Sequence, residues 1–303
     1  GIRENTLARS PESVLQDQGE VMTATLEDTA HGMNPARLLW TGGWDSTYRL
    51  LDLLLVKQKP VQPYYFIDTA RRSFATEILA MNAIKQRLAG KYPDRFSLLR
   101  PTVFRDVLDI PPDDEIQACY RRICAREHVG VQYEWGARFA RAEGLSELEL
   151  SLIGGGHMFK VFGPYLEQRD AGNDIVWELG KGHEGDDLYR LFKCYRFPLI
   201  FTTKQDMFAQ AKQHGFEELM LLTVFCHTPR PDGKPCGVCI PCGIAVENGL
   251  GWRLSRRSLA KLRLKLLYRK GRRSLERYPR LFAPAQKIAR KFKKPKKPIF
   301  PVS

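Results

Sequence analysis

Apolar residues along this chain fall into short runs that alternate with longer stretches of helical spacing. The run "ARLLW" over 36–40 predicts a buried strand, and the "TGGWDST" behind it leads into a helix over Ser46–Val56. "VQPYYFID" (61–68) predicts a second strand, followed by an amphipathic helix in "SFATEILAMNAIKQRLAG" that closes at Gly90. A third strand is expected over 96–101, then a helical stretch from about Asp114 to Glu143 stopped by Gly144. A further strand is expected at 147–156, running into three glycines. Residues 201–215 open on capping hydroxyls and close on Gly215, a helix by both signals. Strands separated by helices of this length imply parallel βαβ crossovers, and so a doubly wound parallel α/β sheet. Ligands of such sheets bind past the carboxyl ends of the strands, where Thr41–Ser46 and Gly154–Gly156 both fall. The stretch from Gly163 to Gly185 is rich in Gly, Asp and Glu, and is expected to form an insertion or hairpin over that site.

Charge changes the picture at one end only. The chain has 303 residues and a formal charge of +14, but Ser255–Ser303 alone carries +17 and the remainder −3. Any argument for nucleic acid, anionic membrane or an acidic protein as partner is therefore an argument about the basic tail. No apolar run approaches the roughly 20 residues that span a bilayer, and residues 1–34 read as a polar, flexible arm without a signal-peptide core. The seven cysteines are an odd number, which favours a reducing, cytoplasmic setting and metal or thiolate chemistry over a disulfide framework.

In "TGGWDST" the glycines permit positive φ and close backbone approach, and the helix that follows begins with unpaired N–H groups. Those donors, with the hydroxyls of Thr41, Ser46 and Thr47, suit a phosphate or pyrophosphate. Asp45 either holds Mg²⁺ or caps the helix. The stretch lacks the Gly-Lys-Ser/Thr ending of a Walker A loop. Further along, Cys226, Cys236, Cys239 and Cys242 have the spacing C-x9-C-x2-C-x2-C, which suits a closed tetrahedral Zn²⁺ site and also satisfies an iron–sulfur cluster. Cys119, Cys124 and Cys194 lie outside that set and are expected to be structural.

The glycine turn resembles the Ser-Gly-Gly-x-Asp-Ser signature of the PP-loop ATP pyrophosphatases, with Thr41 in the place of the leading Ser. With "FCHTPRPDGKPCGVCIPCG" downstream, residues 36–250 are similar in order of motifs to 7-cyano-7-deazaguanine synthases of queuosine precursor synthesis. "FIDTARRSFATEILA", "WGARFARAEGLSELELSLIGGG" and "FPLIFTTKQDMFAQAKQHGF" are similar to that family's later segments. Two segments depart from it. "GGGHMFKVFGPYLEQRD" replaces the family's deazapurine segment, and Thr69, Ala70 and Arg71 replace its Tyr-Gly-Gln.

The resemblance implies an adenine-nucleotide α-hydrolase-like domain over 35–215, a zinc-binding segment over 216–253, and a basic tail over 254–303 outside the family core. It implies an ATP- and Mg²⁺-dependent ligase that adenylates a carboxylate, 7-carboxy-7-deazaguanine in the family, and converts it to an amide or nitrile. Thr41, Gly42, Gly43, Asp45, Ser46 and Thr47 would then bind pyrophosphate and metal, with Gly154 and Gly155 at the second glycine turn. Lys204 would reach phosphate or the acyl adenylate, unless it is a solvated lysine. Trp44 and Phe66 would stack on adenine or pack in the core. Arg71, Arg72, His157 and Lys160 are substrate candidates, and His227 a neighbour of the metal. Two alternatives stay open: conjugation of the acid to a protein or small-molecule amine, and a zinc-stabilised nucleic-acid-binding protein. A homo-oligomer is also left open.

Overall fold

Alternating burial along the strands shows how the sheet is used. In the computed structural model, which describes residues 34–154, 157–170, 172 and 174–276, Leu38 and Tyr65 belong to one buried cluster while Leu39 and Tyr64 pack on another. Adjacent strand residues point to opposite faces, so both faces of this sheet are covered. The strands are β1 (Ala36–Leu39), β2 (Val61–Ile67), β3 (Val103–Asp106), β4 (Leu148–Glu149), β5 (Leu166–Asp170), β6 (Ile175–Leu179) and β7 (Tyr195–Arg196). Five of them form one sheet in the order β3-β2-β1-β4-β7, every pair parallel, and β5 and β6 form an antiparallel hairpin. The order steps outward from β1 in one direction to β3 and in the other to β7. The switch point therefore lies between β1 and β4.

Helices α1 (Trp44–Leu51), α2 (Phe74–Lys91), α3 (Asp114–Cys124), α4 (Val131–Ala142), α5 (Asp187–Phe192) and α6 (Lys204–Gln213) flank the sheet. Trp44, Met81, Ile84 and Met207 from α1, α2 and α6 join the first cluster. Ile116, Tyr133, Ala137 and Leu191 from α3, α4 and α5 join the second. The mixed α/β class with a parallel sheet is as the periodicity implied. The four-cysteine segment runs into α7 (Ile240–Glu247), which carries Cys242, and α8 (Arg256–Glu276) follows. Its buried Cys226, Cys236 and Cys242 share the cluster of α1 and α6, so it packs on the same core. Residues 1–33 of the expected arm, Gly155 and the tail beyond Glu276 lie outside the described residues.

Three elements differ from expectation. The third strand starts at Val103 rather than 96, because Pro101 has no N–H to give and the continuous ladder with β2 begins beyond it. The helical stretch over 114–143 is two helices, since Gly130 is extended (φ −68°, ψ 139°) and begins α4 afresh. The strand at 147–156 is only Leu148–Glu149. Gly154 instead passes so close to Ile200 that a Cβ there would sit 2.5 Å from its carbonyl oxygen. The expected hairpin over 163–185 is present as β5–β6, but its described residues line neither of the two cavities at the Thr41–Ser46 turn.

The π-helical turn Asp52–Val56 continues α1, and beneath it lies a buried ionic knot. The Arg49 guanidinium donates to Glu149 of β4 at 2.7 Å from both Nε and Nη2, to Asp52 at 3.2 Å and to Asp174 beside β6. Burial pulls the Arg49 pKa down, but the Glu149 and Asp174 charges outweigh it and hold the guanidinium firmly protonated. Arg49→Leu strips Glu149 of its guanidinium partner and leaves Asp52 and Asp174 to Lys57 alone, and is expected to destabilise the protein by about 3–5 kcal/mol at neutral pH. The deficit should shrink as pH falls and the stranded carboxylates take up protons, which denaturant titrations at neutral and acidic pH would resolve.

Candidate active site and metal centre

The turn after β1 is held from both sides. Gly42 is at φ +68°, and its carbonyl accepts from the Val224 N–H at 3.0 Å. A Cβ on Gly42 would meet the Glu77 carbonyl oxygen and Met81 Cγ, each at 3.1 Å. Gly42→Ala is accordingly expected to lower stability by about 1–2 kcal/mol, read from a chemical melt. Gly43 then begins α1 without any side-chain cap. Asp45 does not cap its helix: its Oδ1 accepts from Lys204 Nζ at 2.5 Å, across from the head of α6. Lys204 is only 8% exposed, so it is not a solvated surface lysine. Its backbone is fixed by a capping box, in which the Thr203 hydroxyl accepts from the Asp206 N–H and the Asp206 carboxylate accepts from Thr203. Ser46 Oγ accepts from the Thr41 N–H at 3.3 Å, which closes the turn.

Two cavities of about 260 and 370 Å³ meet at this turn and share Thr41, Gly43, Trp44, Asp45, Arg71 and His227. The larger lies at the switch point, with Tyr64, Phe66 and Trp135 on its walls and Gln132, Ser151 and Asp68 as polar groups. The smaller holds Lys204 and Glu77 and is bounded by Cys226 and by Pro241, Ile244 and Ala245 of α7. Glu77 is buried, accepting from Tyr65 Oη at 2.8 Å, Ser73 Oγ at 2.7 Å and Arg71 Nη2 at 2.8 Å. Burial and the Glu77 carboxylate together hold the Tyr65 phenol well above its usual range. Burial, reinforced by Arg71, holds the His227 imidazole below its usual value and so favours its neutral form.

Of the residues singled out from sequence, Thr41, Gly43, Trp44, Asp45, Ser46, Phe66, Arg71 and Lys204 line this cleft. Phe66 contributes a cavity wall while its ring stands edge-on to Phe139, 5.3 Å between centroids. Trp44 is 3% exposed, packed on Phe208 with the Arg253 guanidinium over its ring, which leaves little of its face for an adenine. Thr47 faces the core and accepts from Trp40 Nε1 at 3.0 Å, away from any ligand. Arg72 and Lys160 are exposed and line neither cavity. His157 pairs with Glu127 at 3.3 Å, also outside the cleft. Gly154 serves the close approach to Ile200 and lines neither cavity. Glu77, Trp135, Gln132, Ser151 and Asp68 were not singled out by the motifs. They reach the cleft from α2, α4 and the ends of β2 and β4, and no local signature marks them.

The four cysteine sulfurs lie within 4.8 Å of one another, with Cys226–Cys239 at 3.8 Å, Cys236–Cys242 at 4.0 Å and Cys239–Cys242 at 3.4 Å. A tetrahedral ion with Zn–S bonds of about 2.3 Å spaces its thiolates at about 3.8 Å, so this donor set fits one zinc ion. An iron–sulfur cluster puts several metal atoms between its thiolates and needs a wider cage. Cys236 Sγ accepts from the N–H groups of Val238 (3.3 Å) and Cys239 (3.4 Å) and from Thr228 Oγ1 (3.3 Å). Burial raises its pKa, but these bonds outweigh burial and bring it to about 6. The thiolate is thus favoured before any metal arrives. Gly237, at φ +78°, lets the knuckle turn where a Cβ would collide with Ser258 of α8.

No protein-family profile matches the chain, and no curated protein matches it.

Proposed function

We propose that the chain is an ATP-dependent, adenylate-forming carbon–nitrogen ligase of the PP-loop kind, with a structural zinc site beside its cleft. The observation that carries this proposal is the Asp45–Lys204 pair at the mouth of the Thr41–Ser46 turn, at the switch point of the parallel sheet. A capless helix N-terminus, two hydroxyls and a buried ammonium converge there, which is the donor set a pyrophosphate leaving group requires. Asp45 would hold Mg²⁺, whose charge would offset that of the departing pyrophosphate.

In the proposed reaction a carboxylate oxygen of the acid attacks the α-phosphorus of ATP, and the bond to pyrophosphate breaks. Lys204 would neutralise charge on the phosphate oxygens, and Ser46 and Thr41 would donate to the leaving group. A nitrogen nucleophile then attacks the acyl carbon, loses a proton, and AMP departs with the carboxylate oxygen. The larger cavity, walled by Tyr64, Phe66 and Trp135, would suit a flat heteroaromatic ring, and the smaller, which Lys204 lines, would take the reacting acid. Given the family resemblance, 7-carboxy-7-deazaguanine is the acid to try first.

The test is mass spectrometry after incubation with ATP, Mg²⁺ and 7-carboxy-7-deazaguanine, with and without ammonium. AMP, pyrophosphate and the amide of the acid are expected, or the nitrile with two AMP per product, since a second ATP must then carry off the amide oxygen. A product found only on a protein or small-molecule amine would redirect the nucleophile and keep the adenylate. No AMP with this or other heteroaromatic acids would overturn the proposal.

A further inference from the structure

Helix α8 carries two apolar faces where its packing uses one. The inner face holds Ser258, Leu259 and Leu262, at the i, i+1, i+4 positions that one side of a helix presents. It is fixed to the zinc knuckle: Ser258 Oγ donates to the Pro235 carbonyl at 2.7 Å, and the Lys265 ammonium donates to the Val238 carbonyl. The orientation of the helix about its axis is thereby set. On the opposite side Leu264 (69% exposed), Leu267 (66%) and Tyr268 (69%) stand in solvent with Ala260. At 3.6 residues per turn these four fall within about a third of the helix circumference, an arc that the exposed Arg257 enters at its first turn. Arg256, Arg263 and Lys270 border that stripe on one side and Lys261 on the other, all exposed. Over 256–276 there are nine Lys and Arg and a single acid, Glu276, and the sequence beyond adds nine more cations and no acid.

We infer that the outward face of α8 is a docking surface for an anionic lipid bilayer, on which the helix lies in the plane of the interface. This face combines an apolar centre with a cationic border. Phosphate-bearing headgroups answer the flanking cations, and the acyl boundary takes up the leucines and the tyrosine. A nucleic acid would use the cations but leave Leu264 and Leu267 without a partner. A second copy of α8 would oppose nine cations with nine. No described helix is long and apolar enough to cross a membrane, so the contact is peripheral. This inference is independent of the ligase proposal.

The experiment is flotation of the full chain with vesicles of phosphatidylcholine alone or with about one-third phosphatidylglycerol, beside a fluorescently labelled single-stranded RNA and sedimentation of the protein alone. Wild type is expected on the anionic vesicles only. The double variant Leu264→Ser, Leu267→Ser, which changes only solvent-facing side chains, is expected to weaken vesicle binding about tenfold or more with unchanged zinc content and melting temperature. Equal vesicle binding by wild type and double variant would overturn the inference. So would tight, salt-steep RNA binding without vesicle binding, or self-association that the double variant abolishes.

Discussion

Asp45→Ala is expected to lower ATP-to-AMP turnover by about two to three orders of magnitude while leaving the protein folded and zinc-loaded. The expected size is that of removing one preorganised charged group from a charge-developing transition state. Retention of the fold follows from position: Asp45 caps nothing, and its partner Lys204 lies at a helix head already secured by the Thr203–Asp206 capping box. Lys204→Met should give a loss of similar order, and the double variant little more than either single one, because the two side chains form one unit. Steady-state AMP production, with melting curves for each variant, checks all three. Additive losses would mean that the residues act separately.

Removing the metal is the second large effect. The cysteine sulfurs are packed into the cluster that also holds Trp44 of α1 and Met207 of α6, so loss of zinc is not confined to a surface loop. Chelation, or Cys242→Ser at a fully buried sulfur, is expected to lower the melting temperature by about 10 °C or more. That corresponds to roughly 3–5 kcal/mol for a domain of this size. ATP turnover should fall with it, because Pro241, Ile244 and Ala245 of the metal segment wall the smaller cavity. Metal analysis is expected to return one zinc per chain. Iron with visible charge-transfer absorption would contradict the single-ion fit.

What could be read from the sequence was what lies close together in it. The glycine turn and the four cysteines are local patterns, and their chemistry stands out in a few residues. The head of α6 was legible for the same reason, since a capping hydroxyl and a closing glycine bracket it. The rest of the cleft is assembled by the sheet. Lys204 lies 159 residues from Asp45, and Glu77, Trp135 and Ser151 come from elements with no signature of their own. Nothing in "WDSTYRLL" sets Arg49 apart, and only β4 and the β5–β6 hairpin reveal why it is buried. Thr47 misleads in the opposite way. A hydroxyl in a phosphate-like motif invites a ligand role, yet one residue of helical rotation past Ser46 turns it into the core against Trp40.

The central claim is that this cleft transfers an adenylyl group to a carboxylate, and isotope transfer tests it most directly. 7-Carboxy-7-deazaguanine labelled with ¹⁸O in its carboxylate, incubated with the protein, ATP, Mg²⁺ and ammonium, is expected to deliver one ¹⁸O atom to each AMP released. AMP without label, or ADP and labelled phosphate in its place, would contradict an acyl adenylate.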